Sequence, residues 1–238
     1  MKHWIYFVLI IATVGIVACN KDSDDSIPVT SSNINLFQAI PGRSFDVYVD
    51  TVSIGKGVEY GGSTGYKSFE AKRYVMMITP AGKPDSPYIG GQISLRNGYH
   101  YSIFLSENNE RLPQVLLVED NLRTTTAGYG RMRYVNLSDA FINNFTRLTV
   151  DIKVHTTLLD GRIDTARYFR RLSYQAATDF ADVAAGPHSL FVTYPDSTLA
   201  LNGTSGYSCN IEDQKHYTII GYGNAMKPDS FKLTTFVH

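Results

Sequence analysis

Gly61-Gly62-Ser63-Thr64-Gly65 matches G-x-S-x-G, the pattern that in hydrolases lifts a nucleophilic serine onto a strained strand-to-helix turn. The chemistry would be acyl transfer, and it needs a helix behind the serine. Here Tyr66 to Ile78 reads as extended chain, so the motif is expected to be a glycine turn, and a serine hydrolase using Ser63 stays a remote alternative. The other chemistry-bearing residues are His100, His216, Asp46, Asp151 and Cys209, together with Asp22, Asp24 and Asp25. The three aspartates lack the glycine and distal glutamate of an EF-hand loop. A lone thiol cannot hold zinc without several partners, so Cys209 is expected to be a buried or half-buried small hydrophobe. No set of nucleophile, base and oxyanion donor converges, and no catalytic residue, metal site or cofactor is expected. One polar stretch is a candidate for recognition: residues 155–171, with Arg162, Arg167, Arg170 and Arg171 beside Asp160 and Asp164. It reads as a longer hairpin or loop. Loops on a rigid scaffold are where recognition is placed, and a merely solvated excursion is equally consistent with it.

The elements that must position these residues are strands. Apolar residues alternate or run in short blocks, as in Phe45-Asp46-Val47-Tyr48-Val49, Tyr74-Val75-Met76-Met77-Ile78 and Leu148-Thr149-Val150-Asp151-Ile152. Gly, Pro and Asn cluster between them, and no stretch sustains a 3.6-residue stripe. Tyr174 to Ala185 is the best helical candidate. It is rejected because Tyr174 to Thr193 lies without a gap over the glycine-rich Tyr60 to Thr79, with Tyr60 over Tyr174, Tyr66 over Phe180 and Ala71 over Ala185. Upstream, Phe45 to Val49 pairs with Val150 to Val154; downstream, Tyr99 to Ile103 pairs with Lys215 to Ile219. Three blocks in one order indicate an internal duplication. His100 and His216 then recur at one position, as do Asp46 and Asp151. Recurrence points to structural roles, with the aspartates fixing a turn or strand edge. Ser63 has no serine counterpart. Each unit has the size and texture of an immunoglobulin-like or transthyretin-like β-sandwich, spanning 33–122 and 130–238, with a polar linker within 121–130.

Arg133-Tyr134-Val135-Asn136-Leu137-Ser138-Asp139-Ala140, the strand Asp151-Ile152-Lys153-Val154, and Tyr174, Phe180 and Val183-Ala184-Ala185-Gly186-Pro187-His188 resemble the domain of unknown function 4397 family. Ile34 to Pro41 is a weaker copy that lacks the Arg and the Asn. The resemblance implies an exported bacterial protein of tandem β-sandwich units and leaves chemistry open, since fold does not dictate function.

The start of the chain supplies an address. Lys2 and His3 precede an apolar run over residues 4–17, too short to span a bilayer, and Ile16-Val17-Ala18-Cys19 resembles a bacterial lipobox. Residues 1–18 are expected to be a signal peptide, with Cys19 lipidated and residues 19–32 a polar tether. Lys21-Asp22-Ser23-Asp24-Asp25 looks like the acidic surface-export signal of Bacteroidota lipoproteins. The expected location is the outer membrane, displayed on the cell surface, with a periplasm-facing lipoprotein as the alternative.

Removal of residues 1–18 from 238 leaves room for one large β domain or two smaller ones, each with its own core. Lys and Arg total 22, Asp and Glu 22, so no basic field invites nucleic acid. The single tryptophan, Trp4, lies in the signal, which tilts the reading from sugar toward a protein partner. The expectation is therefore an all-β tandem sandwich that is a lipid-anchored, non-catalytic interaction protein. Its partners would be the membrane through Cys19 and an envelope protein or, alternatively, an extracellular polysaccharide.

Overall fold

The structure is a computed structural model that describes residues 30–157, 162–227 and 229–238. The signal segment 1–18, Cys19 and the tether as far as residue 29 lie outside the described residues, as does 158–161 of the arginine-rich stretch. The described residues form seventeen strands and no helix. No described helix is long and apolar enough to cross a membrane.

The first unit runs from β1 (Ser32–Gln38) through β2 (Phe45–Val49), β3 (Val52–Val58), β4 (Lys67–Phe69), β5 (Arg73–Pro80), β6 (Ile89–Ser94) and β7 (His100–Glu107) to β8 (Pro113–Glu119). Its two sheets have the orders β4-β1-β7-β8 and β3-β2-β5-β6. The second unit comprises β9 (Tyr129–Leu137), β10 (Val150–Thr157), β11 (Ile163–Leu172), β12 (Ala176–Ala177), β13 (Ala181–Ala184), β14 (Gly186–Thr193), β15 (Tyr207–Ile211), β16 (His216–Tyr222) and β17 (Lys232–Val237). Its sheets repeat the pattern: β9 lies between β12/β13 and β16-β17, and the other sheet is β11-β10-β14-β15. In each unit the opening strand pairs in parallel with a late one, β1 with β7 and β9 with β16.

The duplication holds residue by residue. Asn33 faces His100 as Arg131 faces His216, and Asp46 pairs with Thr79 as Asp151 pairs with Thr193. Tyr66 meets His100 edge to face at 5.5 Å and 87°, and Phe180 meets His216 at 5.3 Å and 86°. Tyr174 to Ala185 forms no helix: after a turn at Tyr174-Gln175 it supplies the short strands β12 and β13.

Each sandwich closes over its own core. Ile34, Leu36, Phe45, Val47, Ile78, Ile103 and Leu105 fill the first; Met132, Tyr134, Val150, Ile152, Leu190, Val192 and Ile219 fill the second. A third cluster lies between the units: Phe37 and Phe104 of the first against Val135, Leu137, Ile220 and Tyr222 of the second. The β1–β7 sheet therefore packs on the β9–β16 sheet, and the molecule is four sheets deep. This is why β7 and β16 are buried almost end to end. One side of each faces its own core and the other faces the partner unit, so the solvent-side polar alternation of an outer sheet is lost. Burial of the cluster's apolar surface favours the pairing by roughly 25 cal/mol per Å².

Candidate functional site

The interface between the units has two ends. β1 enters it at Ser32, beside the turn where Asn97 accepts the Ser31 N–H at 3.0 Å, and leaves it seven residues and roughly 20 Å later. The entry end is occupied by a closed polar circuit. Arg133, fully buried on β9, is ion-paired to the equally buried Asp120, and its Nε donates to Thr218 Oγ1 at 2.8 Å. Tyr66 donates to Asp120 Oδ2 at 2.6 Å, and Ser102 donates to the same oxygen at 2.9 Å. His238 completes the ring, with Nδ1 at 2.6 Å from the Tyr66 oxygen and Nε2 at 2.7 Å from Thr218 Oγ1. Each hydroxyl and the ring N–H of the circuit find an acceptor if His238 is neutral with its proton on Nδ1, the tautomer assigned from this network. Phe180 lies over the Arg133 guanidinium at 4.8 Å. Burial pushes the Tyr66 hydroxyl well above the ordinary phenol range, helped by the Asp120 charge. Burial holds His238 down at about 4. The circuit joins the two units, with Arg133, Asp120, Ser102 and Thr218 buried and Tyr66 and His238 half-buried at its edge, so its geometry suits a structural joint.

At the far end, where β1 and β9 finish, the units part to form a cleft of about 480 Å³. Tyr60, Asn108 and Asn109 line one side, and Asn224, Lys227 and Lys232 the other. Lys232 stands 5.2 Å over the Tyr60 ring, and burial raises the Tyr60 hydroxyl to about 12. The loops at this end of the strands expose large apolar side chains: Leu112 after β7, Ile142 and Phe145 after β9, and Leu199 after β14, with Phe145 93% exposed. Phe145 rides on a turn built by Asn143, whose Oδ1 accepts the N–H groups of Phe145 and Thr146 at 3.0 and 2.8 Å.

The same end carries three of the four arginines singled out in the sequence. The stretch 155–171 belongs to a long hairpin of β10 and β11, which bulges between Ile152 and its neighbours. At the bulge Arg171 adopts φ 50°, and its N–H and that of Asp196 (φ 55°) bind the two oxygens of Asp151 at 2.8 and 2.9 Å. In the first unit Gly57 (φ 58°) and Gly82 (φ 73°) bind Asp46 in the same way at 2.7 and 2.9 Å. Both aspartates thus fix strand-edge turns, and these backbone N–H groups hold the Asp46 carboxyl below the ordinary carboxylate range. Arg171, Arg167 and Arg170 converge on the Asp196 carboxylate at 2.9, 2.7 and 3.0 Å, holding it far below that range. Arg162 is not among them. It stands beyond the other end of β11, roughly 25 Å along the strand.

Ser63 forms a bridge to Phe37, and its hydroxyl donates to Asn35 Oδ1 at 2.7 Å and accepts from the Gly65 N–H at 3.1 Å. Its counterpart Ala177 pairs with Val135 in the same register. Thr64 and Thr178 are the repeated residues here, each accepting a backbone N–H of the opening strand, from Leu36 and Tyr134, at 3.0 Å. Cys209 is buried in the second core, and burial raises its thiol to about 11. No group of three or more potential ligands that could hold a metal ion occurs among the described residues. Sequence reasoning missed Asp120, Tyr66 and His238 as partners of Arg133. The one available signal was Arg133 set between Met132 and Tyr134 in the middle of a strand.

Residues 32–143 match a family model described as a domain of unknown function, DUF4397. The match takes in the whole first sandwich and the opening strand of the second. No curated protein matches the chain. Among solved structures, the Bacillus anthracis TIE protein is 10% identical, with a TM-score of 0.25, over 81% of this chain and 34% of its own. A leucine-rich repeat protein from Bacteroides thetaiotaomicron is 13% identical, with a TM-score of 0.23, over 79% of this chain and 26% of its own. The chain thus spans about a third and a quarter of these two proteins. A Bacteroides ovatus protein described as a candidate for cell adhesion is 12% identical, with a TM-score of 0.24, over 86% of this chain and 96% of its own.

Proposed function

We propose that the chain is a lipid-anchored, non-catalytic interaction protein of the cell envelope, held through Cys19 and engaging a protein partner with the far end of its tandem sandwich. The observation that carries this reading is the opposition of the two ends. The segment that follows the expected tether enters the fold at one end of β1, and the cleft, the exposed apolar loops and the arginine cluster gather at the other. Aromatic residues and arginines gathered at one end of a rigid sandwich are the composition of protein-binding hot spots. The lipobox and the acidic residues after it support an outer-membrane, surface-displayed location. The bonding of Ser63 to Asn35 and Gly65 supports a turn-forming role for that serine.

The test is photocrosslinking in intact cells, with the reactive residue at Phe145 or Lys227 at the far end, or at Asn97 at the entry end. A discrete protein adduct from the far positions and none from Asn97 is expected. Adducts only from Asn97 would sink the reading. In the same cells Cys19→Ser should release the protein from the membrane fraction. A second reading, a surface polysaccharide as ligand, is favoured by the asparagines and the Tyr60 ring in the cleft. It would be supported by glycan retention that Tyr60→Ala abolishes.

A further inference from the structure

The arginines of the second unit's bulge are bound together in a way that the first unit does not share. Arg167, Arg170 and Arg171 correspond to Ser53, Lys56 and Gly57, and the carboxylate that gathers them, Asp196, corresponds to Gly82. A glycine is the ordinary occupant of both left-handed positions, and a side chain there costs on the order of 1 kcal/mol. The second unit holds an arginine at one and an aspartate at the other, and these two side chains bond to each other at 2.9 Å. Three guanidiniums drawn onto one carboxylate keep most of their N–H donors unspent, since each uses a single nitrogen on Asp196. Asp196 and the buried Asp151 offset two of these charges, and Lys153, whose ammonium donates to the Ser197 carbonyl at 2.6 Å, adds another. The patch stays positive, and it is held in place before any ligand arrives. Arg170 and Arg171 are about two-thirds exposed, and Leu199, three residues after Asp196 in the same loop, is exposed as well.

We propose that Arg167, Arg170 and Arg171 form a preorganised clamp for an acidic segment of a partner protein, whose carboxylates take the donors that Asp196 leaves open. This rests on the partner-binding reading above and names the chemistry of the partner. Planar, paired donors suit carboxylates, and the cluster already binds one. The apolar side chain of Leu199 suits a polypeptide better than a sugar chain. Holding the guanidiniums in place beforehand lowers the ordering cost of association.

The test titrates poly-L-glutamate into the full-length protein in detergent, with dextran sulfate and neutral dextran in parallel, against Arg170→Ala, Arg171→Gly and the double variant. Arg171→Gly installs the residue that the first unit uses, so it keeps the bulge while removing one guanidinium. Poly-glutamate binding that weakens with salt, and by about tenfold or more in the double variant, is expected. Equal binding by wild type and variants would overturn the clamp. Dextran sulfate bound through the same arginines without poly-glutamate binding would also overturn it, in favour of an anionic glycan. Should the double variant not fold, unweakened binding by Arg171→Gly alone is the overturning result. The titration uses neither the anchor nor the envelope, so its failure is separable from a failure of crosslinking at Phe145.

Discussion

Gly61 of the first unit lies directly beneath Tyr222 of the second: a Cβ at position 61 would stand 2.7 Å from the Tyr222 hydroxyl. The duplicated partners reverse the sizes. Gln175, which takes the place of Gly61 at φ 60°, sits against Ser106, which takes the place of Tyr222, and its amide donates to the Ser106 hydroxyl at 2.7 Å. One half of the joint pairs a glycine with a tyrosine, and the other pairs a glutamine with a serine. Gly61→Gln should therefore destabilise the protein by about 2 kcal/mol, through overpacking and a strained φ. Adding Tyr222→Ser should recover part of that loss, because the two changes together copy the other half. Urea unfolding of the single and double variants measures this. A double variant no more stable than the sum of its parts would count against the swap.

Arg133→Met leaves Asp120 buried without its cation and is expected to cost about 3–5 kcal/mol. Replacing both members, Arg133→Met with Asp120→Leu, should cost much less than the two single changes added together. A double-mutant cycle in urea reads the coupling.

His238 makes the joint sensitive to acid. Burial is the main cause of its depressed value of about 4; Asp120 pulls the other way, and Arg133, His216 and His100 reinforce the depression. The unfolded chain thus binds more protons than the folded one between about pH 6.5 and 4, so stability rises with pH across that window. The contribution is complete above the unfolded value and is lost as pH falls toward 4, by at most about 3 kcal/mol. His238→Gln should flatten the stability profile between pH 6.5 and 4. A profile that keeps its slope would assign the acid sensitivity to another group.

The thiol of Cys209, pushed up to about 11 by burial, should stay silent toward a thiol reagent at pH 8 in the folded protein and react once in urea. Rapid labelling of the native protein would mean that the second core opens readily.

The duplication was legible because its blocks carry matched side chains: Tyr66 and Phe180 on His100 and His216, and Asp46 and Asp151 on their turns. The alternating strands were legible for the same local reason. The stacking of the two sandwiches was not. Ser102, Phe104 and Ser106 read as one face of a strand, and nothing in their spacing says whether water or a second sheet covers it. The arginine stretch was visible as composition only. A bulge is read from a glycine, and Arg171 stands where that glycine would be. His238 follows the last strand with no pattern around it, so its place in the polar circuit required the fold.

The parallel pairing of β1 with β7 has a mechanical consequence. A pull entering the fold at Ser32 and resisted by a partner gripping the far loops runs along β1. Its hydrogen bonds to β7, from Asn33 opposite His100 to Gln38 opposite Leu105, lie across that line. They are loaded in shear and must yield together, whereas a hairpin pulled open from one end gives way one bond at a time. The polar circuit at the entry end joins the second sandwich to the first, so such a load at Ser32 would be shared between both units.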